Sequence, residues 1–366
     1  MRRPACTIPR PEVVDRITAG RWNRTVLHRQ HLLRRVDDDA IEVLDRCVGL
    51  QAQEPKAPFY GLCSRITDFD PAELDDLLTE REVVRIALLR STVFLVDTED
   101  ARWIRPVAAP VLAAEMALHA RKLTGSTTAA VLDDAAELLS GRALSSSELG
   151  RALGARHPDD PPAALVGIAR CGLPLVQIPP RGLWRGKAAP TYRLFDDWAG
   201  PGEPAVAGDE ARKDLIRLYL RGFGPATLKG IGTWSGLTGL GRVVQAMVDD
   251  WELVTMTGPD GEELFDLDGL DIVDEDIPAP VRLLAPYDNV VVAQADRRRI
   301  ADDDRYRALA TPNGRMPGLV LVDGRLAGTW RIADGQVETT LMIDPTRAVR
   351  ADLDAETQRL QEFCTK

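Results

Sequence analysis

The chain has 366 residues, 45% of them hydrophobic and 28% charged, with a formal net charge of −10. That length excludes a single small core and suggests two to four folded units of ordinary soluble composition. Taken over the whole molecule, the acidic balance argues against a nucleic-acid partner.

The charge is uneven, however. Arg2, Arg3, Arg10, Arg16, Arg21, Arg24, Arg29, Arg34 and Arg35 crowd the first segment, while 249–276 holds no Lys or Arg. Such asymmetry fits one positive face on an acidic protein, and it fits plain solvated surface as well. The five cysteines (Cys6, Cys47, Cys63, Cys171 and Cys364) show no C-x-x-C spacing, which argues against a zinc site or disulfide scaffold and suits a reducing cytosol. The start Met1-Arg2-Arg3-Pro4 has no apolar stretch behind it, and no apolar run nears the ~20 residues that span a bilayer. A cytoplasmic location without a membrane partner is the expectation. His28, His31, His119 and His157 lack metal-ligand spacing, and there is no phosphate loop, dinucleotide fingerprint or nucleophile elbow, so neither metal nor cofactor is expected.

In chain order, 13–35 reads as a helix with Val14, Ile17, Val26, Leu32 and Leu33 apolar, and 38–50 as a second. The stretch Leu50-Gln51-Ala52-Gln53-Glu54-Pro55 follows, in a tight connection to a third helix over 55–66. If Gln51 and Gln53 are extended, alternation points both side chains the same way. Two amides on one side can hold a water or a ribose, since each offers donors and an acceptor; the plainer alternative is a pair of polar loop residues. Asp70-Pro71 starts a fourth helix, and 83–89 with 92–96 reads as a short hairpin, giving a winged-helix pattern. Asp97 then caps one long helix through Trp103 to about Ala120.

A second helix–helix–hairpin unit begins after Thr124-Gly125-Ser126-Thr127. Its helices cover about 128–139, 148–156 (with Ser145 and Glu148 as a capping box) and 161–169. Its strands, 175–178 and 191–195, flank a tip that combines Arg181, Arg185 and Lys187 with Trp184. Cations there can grip phosphates and an indole can insert or stack, unless this is a surface loop with a half-buried Trp. A third unit runs from helices at 209–222, 225–231 and 241–249 to strands at 251–257 and 263–267. Beyond the acidic linker 268–278 come strands at 281–284, 289–293, 319–322, 327–332 and 337–343, with two D-G turns, and a closing helix at 354–363. These make a small sheet or barrel.

In this order and spacing, Leu50-Gln51-Ala52-Gln53, Leu89-Arg90-Ser91-Thr92, Pro179-Pro180-Arg181-Gly182-Leu183-Trp184, Gly224-Pro225-Ala226-Thr227, Ala285-Pro286-Tyr287-Asp288-Asn289 and the stretch Val322 to Trp330 resemble the AlkZ-type winged-helix DNA glycosylases. That family includes the azinomycin-resistance glycosylase. The resemblance implies an α+β fold: three tandem winged-helix units curving around DNA (1–123, 124–205 and 206–270), then a small β-barrel with a terminal helix (271–366). It implies a Q-x-Q catalytic motif at Gln51 and Gln53, and DNA contact by Arg181, Trp184, Arg185 and Lys187, with Arg90 and Thr92 counted alongside. Double-stranded DNA containing alkylated guanine is the implied partner, bound by a monomer with no protein partner. The chain departs from many members in carrying Ser91 and Phe94 where they have Gly and His. Gln53, where another branch has Asp, places it nearer the self-resistance branch.

The chemistry agrees with such a pair. A guanine alkylated at N7 is cationic and leaves without a general acid, so what remains is an oxocarbenium-like sugar and an attacking water. A neutral amide can position that water and aim its dipole at the developing charge. Glu54 is the nearby carboxylate, either a base or merely an acid at a helix start. The alternatives are a winged-helix transcription regulator and a catalytically silent repair accessory.

Overall fold

The computed structural model describes residues 16–292, 294–310 and 315–366. Arg2, Arg3, Arg10, Cys6, the first residues of the expected 13–35 helix including Val14, and Ala293 lie outside the described residues.

The first part of the chain runs α1 (Ala19–Arg29), α2 (Ala40–Arg46), β1 (Leu50–Gln51), α3 (Ala57–Cys63), α4 (Pro71–Glu80), β2 (Val83–Ala87), β3 (Val93–Asp97), α5 (Thr98–Val107) and α6 (Ala109–Ala120). Helices 13–35 and 38–50 both stop short of expectation. His31 takes φ +55° after α1, and Val48 and Gly49 take φ +58° and +71° after α2. Asp70 caps α4 through Ala72 N at 3.0 Å. The single long helix expected after Asp97 is broken at Ala108, between Pro106 and Pro110, because two prolines remove two backbone donors.

The second part holds α7 (Thr128–Leu139), β4 (Leu144–Ser145), α8 (Ser146–Arg156), α9 (Pro162–Gly172), β5 (Leu175–Gln177), β6 (Thr191–Leu194) and α10 (Phe195–Ala199). The Ser145–Glu148 capping box is formed in both directions. The third part holds α11 (Gly208–Phe223), α12 (Leu228–Ser235), α13 (Gly241–Asp249) and the hairpin β7 (Leu253–Thr257) and β8 (Glu263–Leu267). Last come β9 (Arg282–Leu284), α14 (Asp303–Arg307), β10 (Gly318–Val322), β11 (Arg325–Ala333), β12 (Gln336–Leu341) and α15 (Arg347–Thr365).

The first two hairpins do not stand as separate wings. Ile86 of β2 pairs with Val176 of β5, which joins them into one antiparallel six-stranded sheet in the order β1-β3-β2-β5-β6-β4. The C-terminal strands make an open sheet, β12-β11-β10-β9, rather than a closed barrel. Both D-G pairs take positive φ (Asp323 and Gly324, Asp334 and Gly335) and turn its hairpins as expected. One expected strand, 289–293, is absent from the sheet: Asn289 to Val292 form turns. The Asp288 carboxylate accepts from Val290 N at 3.1 Å and its carbonyl from Val291 and Val292 N, which curls the backbone away from strand geometry.

One apolar core runs from Val26 and Leu27 through Phe94, Trp103, Tyr219, Phe223 and Trp234 to Leu321 and Leu326. A second packs α2, α3 and α4 against the C-terminal sheet and α15, and a third is confined to α7–α9 and the adjacent strands. Three of the arginines near the start of the sequence serve as internal ties. Arg24 pairs with Asp323, Arg29 with Asp266 at 2.8 Å, and Arg35 with Glu356. No helix among the described residues is long and apolar enough to cross a membrane.

Candidate active site and nucleic-acid interface

The Gln pair is placed by the turn that ends α2. Gly49 must be glycine there: at φ +71°, a Cβ would lie 2.9 Å from the Leu95 carbonyl oxygen. The turn delivers Leu50 opposite Leu95 and Gln51 opposite Phe94, and Ala52 N donates to Val93 O at 2.7 Å. The backbone is extended as far as Ala52 and bends at Gln53, and the two amides meet. Gln51 Nε2 donates to Gln53 Oε1 at 2.9 Å. Gln51 is buried at 7% exposure, whereas Gln53 is exposed and faces a cleft of about 800 Å³. Glu54, Lys56, Arg181, Arg315 and Arg331 line the same cleft, four cations against one carboxylate, and Tyr287 and Ile332 add apolar wall. Buried Arg85 steadies the strand from below by donating to Ala52 O at 2.9 Å, and burial pushes its guanidinium down to about 10.

Arg90 turns inward. Its Nη2 donates to Gln51 Oε1 at 3.1 Å and to Asn289 Oδ1 at 3.3 Å, its Nη1 donates to the Trp234 carbonyl, and its guanidinium lies 5.3 Å from the Phe94 ring centroid. Phe94 is thus the floor beneath Arg90. Arg90 and Ser91 both adopt left-handed backbone, at φ +54° and +56°. Arg170 of α9 clamps this step by donating to Ser91 O at 3.0 Å, and Thr92 Oγ1 closes it on Leu89 O at 3.1 Å.

The loop between β5 and β6 is divided. Arg181 faces the cleft while donating to Ala188 O at 2.8 Å. Arg185 and Lys187 are exposed, with Arg185 Nη2 donating to the carbonyls of Thr365 and Lys366. Trp184 is a core residue, 5% exposed, 4.8 Å from Phe363 and 5.2 Å from Phe59 between ring centroids, so its indole is not presented for stacking on a base. The structure thus brings Gln51, Gln53 and Arg181 to one region, with Arg90 behind the pair. Sequence reasoning missed Lys56, Arg315, Arg331 and the Arg90–Asn289 contact. The Ala285–Asn289 motif was the only signal near Asn289, and it gave no reason to place that residue beside Arg90. Among the described residues, no group of His, Cys, Asp and Glu is disposed to hold a metal ion.

A mixed α+β fold with an amide pair at the edge of a cationic cleft suits an enzyme acting on a polyanion. The family model for AlkZ-like DNA glycosylases matches residues 44–363, and the chain belongs to that family. It is 24% identical over 346 residues to an interstrand DNA cross-link repair glycosylase of Streptomyces sahachiroi, covering 88% of this chain and 90% of that protein. The fold matches that of the S. sahachiroi DNA glycosylase AlkZ with a TM-score of 0.75 at 19% identity, over 96% of this chain and 97% of the other.

Proposed function

We propose that this DNA glycosylase hydrolyses the N-glycosidic bond of N7-alkylguanine in double-stranded DNA, acting as a monomer on bulky adducts or interstrand crosslinks of a genotoxic natural product. The single observation behind this reading is the neutral Gln51–Gln53 pair at a cleft whose charged lining is four cations to one carboxylate. Gln53 and its neighbour would hold the attacking water and the sugar, and the cationic base would leave unaided. Lys56, Arg181 and Arg315 would meet phosphates, with Arg185 and Lys187 extending that surface, and the helix–hairpin units, the first two joined through one sheet, would lie along the duplex. The name of the Streptomyces relative supports crosslinks as substrates. The cleft volume leaves room for an adduct larger than a methyl group.

The test is single turnover on duplex DNA carrying one N7-methylguanine, read as alkali-labile abasic sites. Gln51→Ala and Gln53→Ala should each lower the rate by about 10²- to 10³-fold with DNA binding retained. Activity surviving in the double variant would falsify the assignment. Glu54→Gln asks whether the adjacent carboxylate is the base. We expect most of the rate to remain, and a loss of about 100-fold or more would move the role to Glu54.

A further inference from the structure

We propose that Arg90 is a positioning residue for the hydrolysis, fixing through Nη2 which end of the Gln51 amide faces Gln53 and hence which atom of Gln53 is left for water. This deepens the reading of Gln51 and Gln53 as the catalytic pair and rests on it.

The argument begins with what each group can do. A guanidinium has only donors, so the end of Gln51 that faces Arg90 must be the carbonyl oxygen. The Gln51 NH2 is then turned to Gln53, which must answer with its own carbonyl oxygen. The chain of donation therefore runs one way, from Arg90 through Gln51 to Gln53. Gln53 Oε1 keeps one lone pair open for a water proton, next to its own NH2. Without Arg90 both amides are free to turn over, and half of the resulting arrangements offer the water a donor where it needs an acceptor. A cationic donor on the Gln51 carbonyl also polarises that amide, strengthening its N–H toward Gln53.

Several features show that Arg90 is built for this place rather than for a phosphate. Its Nη2 is shared between Gln51 and Asn289, its Nη1 is held by the Trp234 carbonyl, and Phe94 lies against its flat face. Its backbone and that of Ser91 occupy the left-handed region, which side chains other than Gly adopt only when the surroundings enforce it. Arg170 supplies that enforcement from α9, on Ser91 O and Ser91 Oγ. Burial pushes the Arg90 guanidinium down to about 10, which leaves it charged at neutral pH.

The experiment compares Arg90→Ala, Arg90→Lys and Arg90→Met with the wild type. Single-turnover rate at saturating enzyme, Kd for undamaged duplex and thermal midpoint are measured for each, with Gln51→Ala and Gln53→Ala run alongside. We expect the rate to fall about 10- to 100-fold in all three, as when a group orienting a reacting residue is lost. Kd should stay close to wild type, and Arg90→Met added to Gln51→Ala should lower the rate little further. Guanidinium at sub-denaturing concentration should restore part of the rate of Arg90→Ala, a recovery that mere misfolding would not show. If Arg90→Ala does not fold, Arg90→Lys keeps charge and bulk and carries the same criteria. A weakened Kd with the bound-state rate intact would overturn the proposal in favour of a phosphate contact, as would an unchanged rate or fully additive losses. If Gln51→Ala and Gln53→Ala themselves keep activity, the catalytic pair is wrong and this inference falls with it. If they lose activity while the Arg90 variants keep it, only the inference fails.

Discussion

Donor-only and donor-acceptor groups divide the work around the Gln pair, and distance along the chain decides which of them the sequence reveals. The meeting of Gln51 and Gln53 was legible because a spacing of two residues in a tight connection keeps their amides within reach, although Gln53 sits in a bend rather than in a strand. Arg90 was not, because its partners lie 39 and 199 positions away and nothing local signals that a charged side chain turns inward. His31 is a second residue whose state is set by packing. Burial, with Arg46 and Arg65 nearby, pulls its imidazole down from 6.5 to about 4. Between those values the unfolded chain binds a proton that the folded one refuses, so stability present above pH 6.5 is lost as the pH falls towards 4. Partial solvent contact trims the effect to on the order of 1 kcal/mol. His31→Asn tolerates the φ of +55° and should flatten thermal midpoint against pH across that window. An unchanged slope would show that another group titrates there.

At the scale of elements, caps and turns were read well and joints between elements poorly. The Asp70 and Asp97 caps, the Ser145–Glu148 box and both D-G turns follow from side chains within three residues of the backbone they satisfy. The early ends of α1 and α2 did not show, because His31 and Val48 at positive φ are dictated by what the chain must do next. The strand expected at 289–293 failed for a related reason: its β-branched run is curled by Asp288, which is committed elsewhere. The loop from β5 to β6 gives an element-scale prediction. A Cβ on Gly186 would lie 1.8 Å from the Pro180 carbonyl oxygen, so the turn cannot close around alanine. Gly186→Ala should cost about 1–3 kcal/mol, as overpacking does. Trypsin should then cut faster at Arg185 and Lys187, visible as earlier loss of the intact band. Equal cutting rates in both proteins would mean that the loop absorbs the methyl group.

Across the whole molecule, the fold is held by charges as well as by its shared apolar core. Arg65 and Asp288, 223 positions apart, meet in a two-pronged pair at 2.9 and 3.0 Å with no more than 1% of either side chain exposed. Burial alone would pull the Arg65 guanidinium down, but the facing Asp288 carboxylate outweighs it and the net shift is upward. Asp288 also sets the turn that carries Asn289 to Arg90, so this pair ties the C-terminal part of the chain to the Gln pair. Asp288→Ala leaves a buried cation alone and should destabilise by about 3–5 kcal/mol, read as a shifted urea midpoint. A shift below about 1 kcal/mol would show that water reaches the site and screens the pair. None of this long-range wiring could be read from the sequence, since ion pairing at such separations leaves no periodic trace.

The seam between β2 and β5 has a practical consequence. Every residue of β2 is buried, and β5 lies along its outer side. Cutting the chain near 124 would bare that side on the first piece as a short edge around Ile86, open to pairing with its own kind. The two halves made together in one cell, however, would each carry the missing neighbour of the other. The molecule is therefore suited to split-protein complementation, with repair activity as the signal of reunion, and poorly suited to dissection into free-standing modules.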